Sequence, residues 1–203
     1  MKSTVGTSLR AIIEDDVSRK ERIQRSFLLL GRERDDYGRP NNEGYPIRAI
    51  LRDDMLYIWN CKSDRMPAGP GVTGYVDTDA SPTKSLILAQ HRLGDDLYYQ
   101  YSFAPRAEEE LYLLSKDPYC MNNLALRSDY ESVKSDLRSE MLKRLKEQDD
   151  PRMFGNGDVF DSYPFMNDAG SRDFYERVVD GSITNPWKRT GWVSPSDYDQ
   201  YVE

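Results

Sequence analysis

One histidine, two cysteines and no apolar run of bilayer-crossing length make up the scarcest features of this chain. A single histidine, His91, excludes any metal site built on two histidines and any cysteine–histidine pair needing a second one. Two cysteines, Cys61 and Cys120, are too few for a disulfide framework and lack metal-site spacing. One disulfide is open to them, and two buried thiols are the expectation. No stretch approaches the length of a membrane-spanning helix, so no membrane partner is expected. Residues 1–9 hold no long apolar core, so no signal peptide is expected and the chain as written stays in the cytoplasm. Positive charge is also in deficit: 28 Lys and Arg stand against 35 Asp and Glu, a net charge of -7. That balance excludes a general attraction to nucleic acid or anionic lipid, and any anionic ligand needs a local basic cluster. No internal repeat is present.

What is there suits one folded core with appended segments. The chain has 203 residues, 38% of them hydrophobic, and 14 tyrosines, too aromatic for a disordered chain. Residues 9–25 carry Leu9, Ile12, Ile13, Val17 and Ile23 among charges and predict a helix, so residues 1–25 read as a helical lead-in. Phe27-Leu28-Leu29-Leu30 predicts a buried strand. Residues 45–60 predict a hairpin turning at Asp53-Asp54, because Ile47, Ala49 and Leu51 alternate with Arg48 and Arg52 before Met55-Leu56-Tyr57-Ile58-Trp59. Residues 62–84, rich in Gly and Pro, predict a long surface excursion. Residues 85–91 predict a short helix, residues 97–103 fit a strand or a helix end equally, and residues 110–114 predict a strand.

Ser128-Asp129-Tyr130-Glu131 has the form of a capping box, and Val133, Leu137, Met141 and Leu145 then recur at fours, which predicts a long amphipathic helix closed by Asp149-Asp150-Pro151. The fold class expected is α+β, a small antiparallel sheet packed against that helix. Residues 26–150 form this subdomain, and residues 151–203 form an irregular extension with one helix near residues 172–179.

Several groups bear on chemistry. Arg32, Arg34, Arg39 and Arg48 surround a polar loop containing Asp35 and Asn41, and together they could fork a sulfate or carboxylate. Glu33, Asp35, Asp36 and Glu43 could equally neutralise them. Asp77, Asp79 and Ser81 have the spacing that opens a calcium loop but lack its glycine and closing glutamate, so turn-capping is expected. His91 is either a lone acid–base group or a helix-end contact. Asp158 and Asp161 pair two carboxylates in a loop, a weak glycosidase pattern. Cys61-Lys62-Ser63-Asp64-Arg65 superficially matches the motif whose cysteine becomes formylglycine in sulfatases, but departs from it at the third position.

Read together, longer stretches resemble sulfatases of the alkaline-phosphatase superfamily, in particular the heparan N-sulfatase or sulfamidase-like enzymes. Leu30-Gly31-Arg32-Glu33-Arg34, Arg39-Pro40-Asn41 and Gly44-Tyr45-Pro46-Ile47-Arg48-Ala49-Ile50 are similar to one such run. Asp64-Arg65-Met66-Pro67-Ala68-Gly69, Ala80-Ser81-Pro82-Thr83-Lys84, the stretch from Glu110 through Ala125 and Gly155-Asn156-Gly157-Asp158-Val159-Phe160-Asp161-Ser162-Tyr163-Pro164 continue it in family order. The resemblance implies the C-terminal portion of a sulfatase, whose formylglycine and calcium belong to a larger N-terminal catalytic domain with no counterpart here. It implies a substrate wall for sulfated carbohydrate formed by Arg32, Arg34, Asp35, Arg39, Asn41 and Arg48, no catalytic residue or cofactor in this chain, and partnership with that domain or self-association. Full-length relatives are usually exported. Asp35 stands where the family carries histidine, which places an anion at the approach of a sulfated sugar. A non-catalytic carbohydrate- or protein-binding module and a truncated gene product are the alternatives.

Overall fold

The computed structural model describes residues 10–14, 26–164 and 168–199. The helix expected over residues 9–25 falls mostly outside them; within them α1, Arg10–Ile13, is a single turn. Four strands, β1 (Leu28–Arg32), β2 (Ile47–Arg52), β3 (Met55–Asn60) and β4 (Glu109–Leu113), form one antiparallel sheet in the order β1-β2-β3-β4. The fold is α+β.

The β2–β3 hairpin pairs Arg52 with Met55 and turns at Asp53 and Asp54, whose φ values of 48° and 68° are those of a tight hairpin turn. Aspartate tolerates that left-handed backbone better than most side chains. Side chains alternate between the two sheet faces, so Leu29, Ile50, Tyr57 and Leu111 share one. Helix α4, Glu131–Glu147, covers it: Leu137, Met141 and Leu145 are buried against Ile50, Tyr57, Leu111 and Ala125. The fourfold spacing aligns them as one stripe. Burying three such side chains stabilises the fold by roughly 2 kcal/mol each before entropy is counted. Ser128 does not cap this helix. It lies in a 3-10 turn, Ser128–Tyr130, that leads into α4, and Asp129 is drawn to Arg127 instead.

Two further departures concern burial. The 27–30 burst is only half-buried: β1 is an edge strand, Phe27 and Leu29 pack against the core under α4, and Leu28 and Leu30 are 38% and 51% exposed on the opposite face. Its apolar run reads as a central strand because periodicity does not register whether a second neighbour exists. The 62–84 segment is no surface excursion either. Ala68, Tyr75, Leu88, Tyr99 and Phe103 form a second core between that segment and helices α2 (Pro82–Arg92) and α3 (Leu97–Ser102). Ser81 caps α2 by accepting from the Lys84 amide at 3.0 Å, and Pro82 follows at the first helical position.

Beyond residue 151 the chain is more ordered than its composition predicts. Short helices α5 (Asp168–Ser171), α6 (Phe174–Val179) and α7 (Pro186–Thr190) bring Phe174, Val178, Val193 and Tyr198 onto Tyr37 and Val76, a third core. Gly74 is needed there: its φ is 72°, and an added Cβ would lie 2.8 Å from the Tyr198 ring and from Val193.

Candidate functional site

The sheet face opposite α4 carries Arg32 from β1, Ile47 from β2, Ile58 and Asn60 from β3, and Glu110 and Tyr112 from β4. Alternation puts them on one surface. Over it stand the end of α3, with Tyr101, the following Arg106, and the loop carrying Tyr119, Cys120 and Met121. Together with Tyr45 they enclose a cleft of about 510 Å³.

The cleft floor is polar but internally tied. Asn60 donates to Glu110 at 2.6 Å and to the Ala107 carbonyl at 2.7 Å, and Tyr112 donates its hydroxyl to the other Glu110 oxygen. Burial, then the hydrogen bond to Glu110, holds the Tyr112 phenol well above its usual range. Glu110 therefore works as an acceptor for its neighbours. The Tyr45 hydroxyl is different: its side chain is 1% exposed, lines the cleft, and has no hydrogen-bond partner among the described residues. Burial, then the charge of Glu110, pushes its pKa up to about 12, so it remains a neutral donor. Arg106 donates to the Tyr101 carbonyl, which fixes the guanidinium at the rim, and Arg32 is exposed at the opposite side. Two cations, an unused phenol and exposed tyrosine rings can hold a hydroxylated, anionic ligand. The one thiol in the described lining, Cys120, has its pKa raised by burial, which disfavours the thiolate.

Of the six arginine-loop residues, only Arg32 reaches the cleft. Arg34 donates to the carbonyls of Asn42, Asp161 and Tyr163 and lies over the Tyr37 ring. Arg39 is bonded to the Met66 and Pro67 carbonyls and paired with Asp77 at 2.6 Å. Arg48 bridges Glu33 and Asp150, both at 2.5 Å. The Asn41 amide donates to Glu176 at 2.7 Å. Asp35 is exposed and, among the described residues, has no ion-pair partner, neither Arg34 nor Arg39. Carboxylates neutralise two of the four arginines, Arg39 and Arg48, backbone carbonyls hold Arg34, and the loop is structural cement.

The other motifs resolve locally. Asp77 accepts from the Asp36 amide at 3.1 Å as well as from Arg39, and Ser81 caps α2. Among the described residues no group of three or more His, Cys, Asp or Glu side chains is placed to hold a metal ion. His91 stacks on Tyr99 with ring centres 3.6 Å apart and meets Asp96 at 2.5 Å, a helix-end contact. Asp161 accepts from the Gly44 amide, and Asp158 faces Lys62 at 3.5 Å. Cys61 and Cys120 are free and half-buried, and burial pushes the Cys61 thiol up to about 11, away from thiolate chemistry.

Tyr45, Asn60, Arg106, Glu110 and Tyr112 escaped sequence reasoning. The one legible signal was polar residues at inward strand positions, Asn60 and Glu110, where alternation calls for apolar ones. No family model matches the chain, and no match is found among curated proteins.

Proposed function

We propose that this chain is the C-terminal subdomain of a sulfatase-like hydrolase of sulfated sugars, sulfate ester or N-sulfate, and that it supplies a wall of the substrate cleft and scaffold rather than bond-breaking groups. The observation that carries this reading is the cleft on the open sheet face, with Arg32 and Arg106 at its rim, the unpartnered Tyr45 hydroxyl inside and exposed Tyr101 and Tyr119 beside it. Guanidinium forks suit sulfate oxygens, and tyrosine faces suit sugar rings. The order of the sulfatase-like stretches along the chain supports the same reading.

Alone, the chain is inactive on this proposal. Its cysteine in the motif-like segment is a half-buried thiol, and the calcium and formylglycine chemistry belongs to a domain outside these residues. Titration calorimetry with a sulfated disaccharide and its desulfated counterpart tests the wall. The sulfated sugar binds and the desulfated one binds much more weakly; equal binding of the two overturns the proposal. Calcium-dependent hydrolysis of a sulfated chromogenic substrate by this chain would overturn the claim of inactivity.

A second reading, a protein-binding or assembly module, draws on β1. Leu28 and Leu30 present an exposed apolar pair on an edge strand, where unpaired backbone groups favour association. Elution as a monomer across a wide concentration range in size-exclusion chromatography would count against assembly.

A further inference from the structure

A second cavity, far smaller, opens between the loop at Asp36 and helices α6 and α7. Its volume is about 60 Å³, and its walls include Asp36, Tyr37, Phe174, Arg189 and Trp192. Both terminal nitrogens of Arg189, Nη1 and Nη2, are buried there without a hydrogen-bond partner among the described residues. No ion pair within 4 Å joins Arg189 to any carboxylate among the described residues. Burial, then repulsion from Arg177, depresses the Arg189 pKa, and Asp36 acts on it only from a distance. Phe174 covers one face of the guanidinium at 5.1 Å. A buried cation with its strongest donors unused is costly, and such donors take an anion when one of the right size is at hand.

We propose that this cavity binds a small inorganic oxyanion, phosphate or sulfate, with Arg189 as the cationic anchor. Size supports this choice. A water needs roughly 10–15 Å³ of such space, so the cavity admits a few waters or one tetrahedral ion and excludes a sugar ring. Planar guanidinium is built for paired contacts with such oxygens. Asp36 does not compete as partner: its Oδ1 accepts from the Tyr37 amide at 2.7 Å, and burial pushes its carboxyl up to about 6, so near that pH it is partly protonated and able to donate toward an anion. The site is separate from the sheet cleft and stands whether or not the sulfated-sugar reading holds.

Thermal unfolding with sodium phosphate and sodium sulfate, each against sodium chloride at matched ionic strength, tests the site. The wild-type chain gains Tm with oxyanion concentration, as selective binding to the folded state requires. Arg189→Met removes that gain and, lacking the unpaired buried charge, melts higher than wild type in chloride alone. A merely structural Arg189 gives the reverse: a lower Tm in every salt and an unchanged oxyanion response, which overturns the proposal. Should Arg189→Met not fold, Arg189→Lys keeps the charge but not the fork, and calorimetry then reads a phosphate Kd weakened about tenfold or more. Monomethyl phosphate separates a free ion from the end of a larger ester: a weaker response than phosphate assigns the free ion, an equal one admits both, and either supports the site. Arg106→Gln leaves the oxyanion response intact. Loss of the response in Arg106→Gln with retention in Arg189→Met places the ion in the sheet cleft and overturns the proposal.

Discussion

Arg39 Nη2 lies 2.6 Å from Asp77 Oδ2, with 2% and 1% of the two side chains exposed. This pair ties the loop after β1 to the segment after β3, and Arg39 also holds the carbonyls of Met66 and Pro67. Removing one partner from a buried pair leaves the other charge without compensation, at a cost of about 3–5 kcal/mol. Asp77→Asn is therefore expected to lose about that much stability in urea denaturation, whereas a paired apolar replacement, Arg39→Met with Asp77→Leu, loses much less. Equal losses for the single and double variants would show that the charges contribute little beyond packing.

Glu33 serves two guanidiniums at once. Arg48 reaches one oxygen at 2.5 Å and Arg152 the other at 2.5 Å, while Arg48 also holds Asp150. Burial works against the charge of Arg48, yet its hydrogen bonds to Asp150 and Glu33 more than offset it, and its pKa rises. Glu33→Gln leaves two neighbouring cations with one carboxylate between them, and the expected loss is about 3 kcal/mol. Arg52→Ala, which breaks a more exposed pair with Asp136, is the contrast at about 0–1 kcal/mol. Comparable denaturation midpoints for the two variants would contradict this ranking.

Ligand affinity and stability separate at the arginines. Arg106→Gln weakens binding of a sulfated disaccharide by about tenfold or more, the loss of a charged hydrogen bond, with little change in Tm. Arg34→Gln gives up three carbonyl contacts far from the cleft, so it lowers Tm and spares the affinity that remains in the folded fraction. Calorimetry and thermal melts on both variants read the two effects. A larger affinity loss for Arg34→Gln would return the substrate wall to the loop.

The hairpin, the strand at residues 109–113 and the stripe of α4 were legible because each depends on local periodicity and turn chemistry. Asp53-Asp54 turns the chain, and Leu137, Met141 and Leu145 align whatever lies around them. The arginine loop misled for the opposite reason. Arg39 meets Asp77 and Arg48 meets Asp150 across 38 and 102 residues, and sequence proximity says nothing about such partners. The cleft was hidden likewise, since Arg32, Tyr45 and Arg106 converge only once β1 to β4 are in register. Apart from the helix expected near residues 172–179, which α6 matches, residues 168–199 looked irregular because their short helices draw stability from Tyr37 and Val76, not from their own propensity.

Asp36 gives the fold a pH dependence whose sign is opposite to that of an ordinary paired carboxylate. Burial is the largest influence, opposed by the Tyr37 amide and reinforced by Asp77 and Asp35, with a small counterpull from Arg189, and the folded pKa stands at about 6 against 3.8. Between those values the folded chain keeps a proton that the unfolded chain has released. Stability from this group is therefore fully present below about pH 4 and declines as pH rises through 6. Asp36→Asn removes the titration while keeping an oxygen for the Tyr37 amide, which Asp36 now holds at 2.7 Å. The stability difference, wild type minus variant, is expected to fall by roughly 1–3 kcal/mol between pH 4 and pH 7 in urea titrations. Asp77, whose pKa burial also raises, is common to both proteins, so only its coupling to Asp36 enters that difference. A difference that stays level, or grows with pH, would mean that Asp36 is ionised in the folded chain throughout the range.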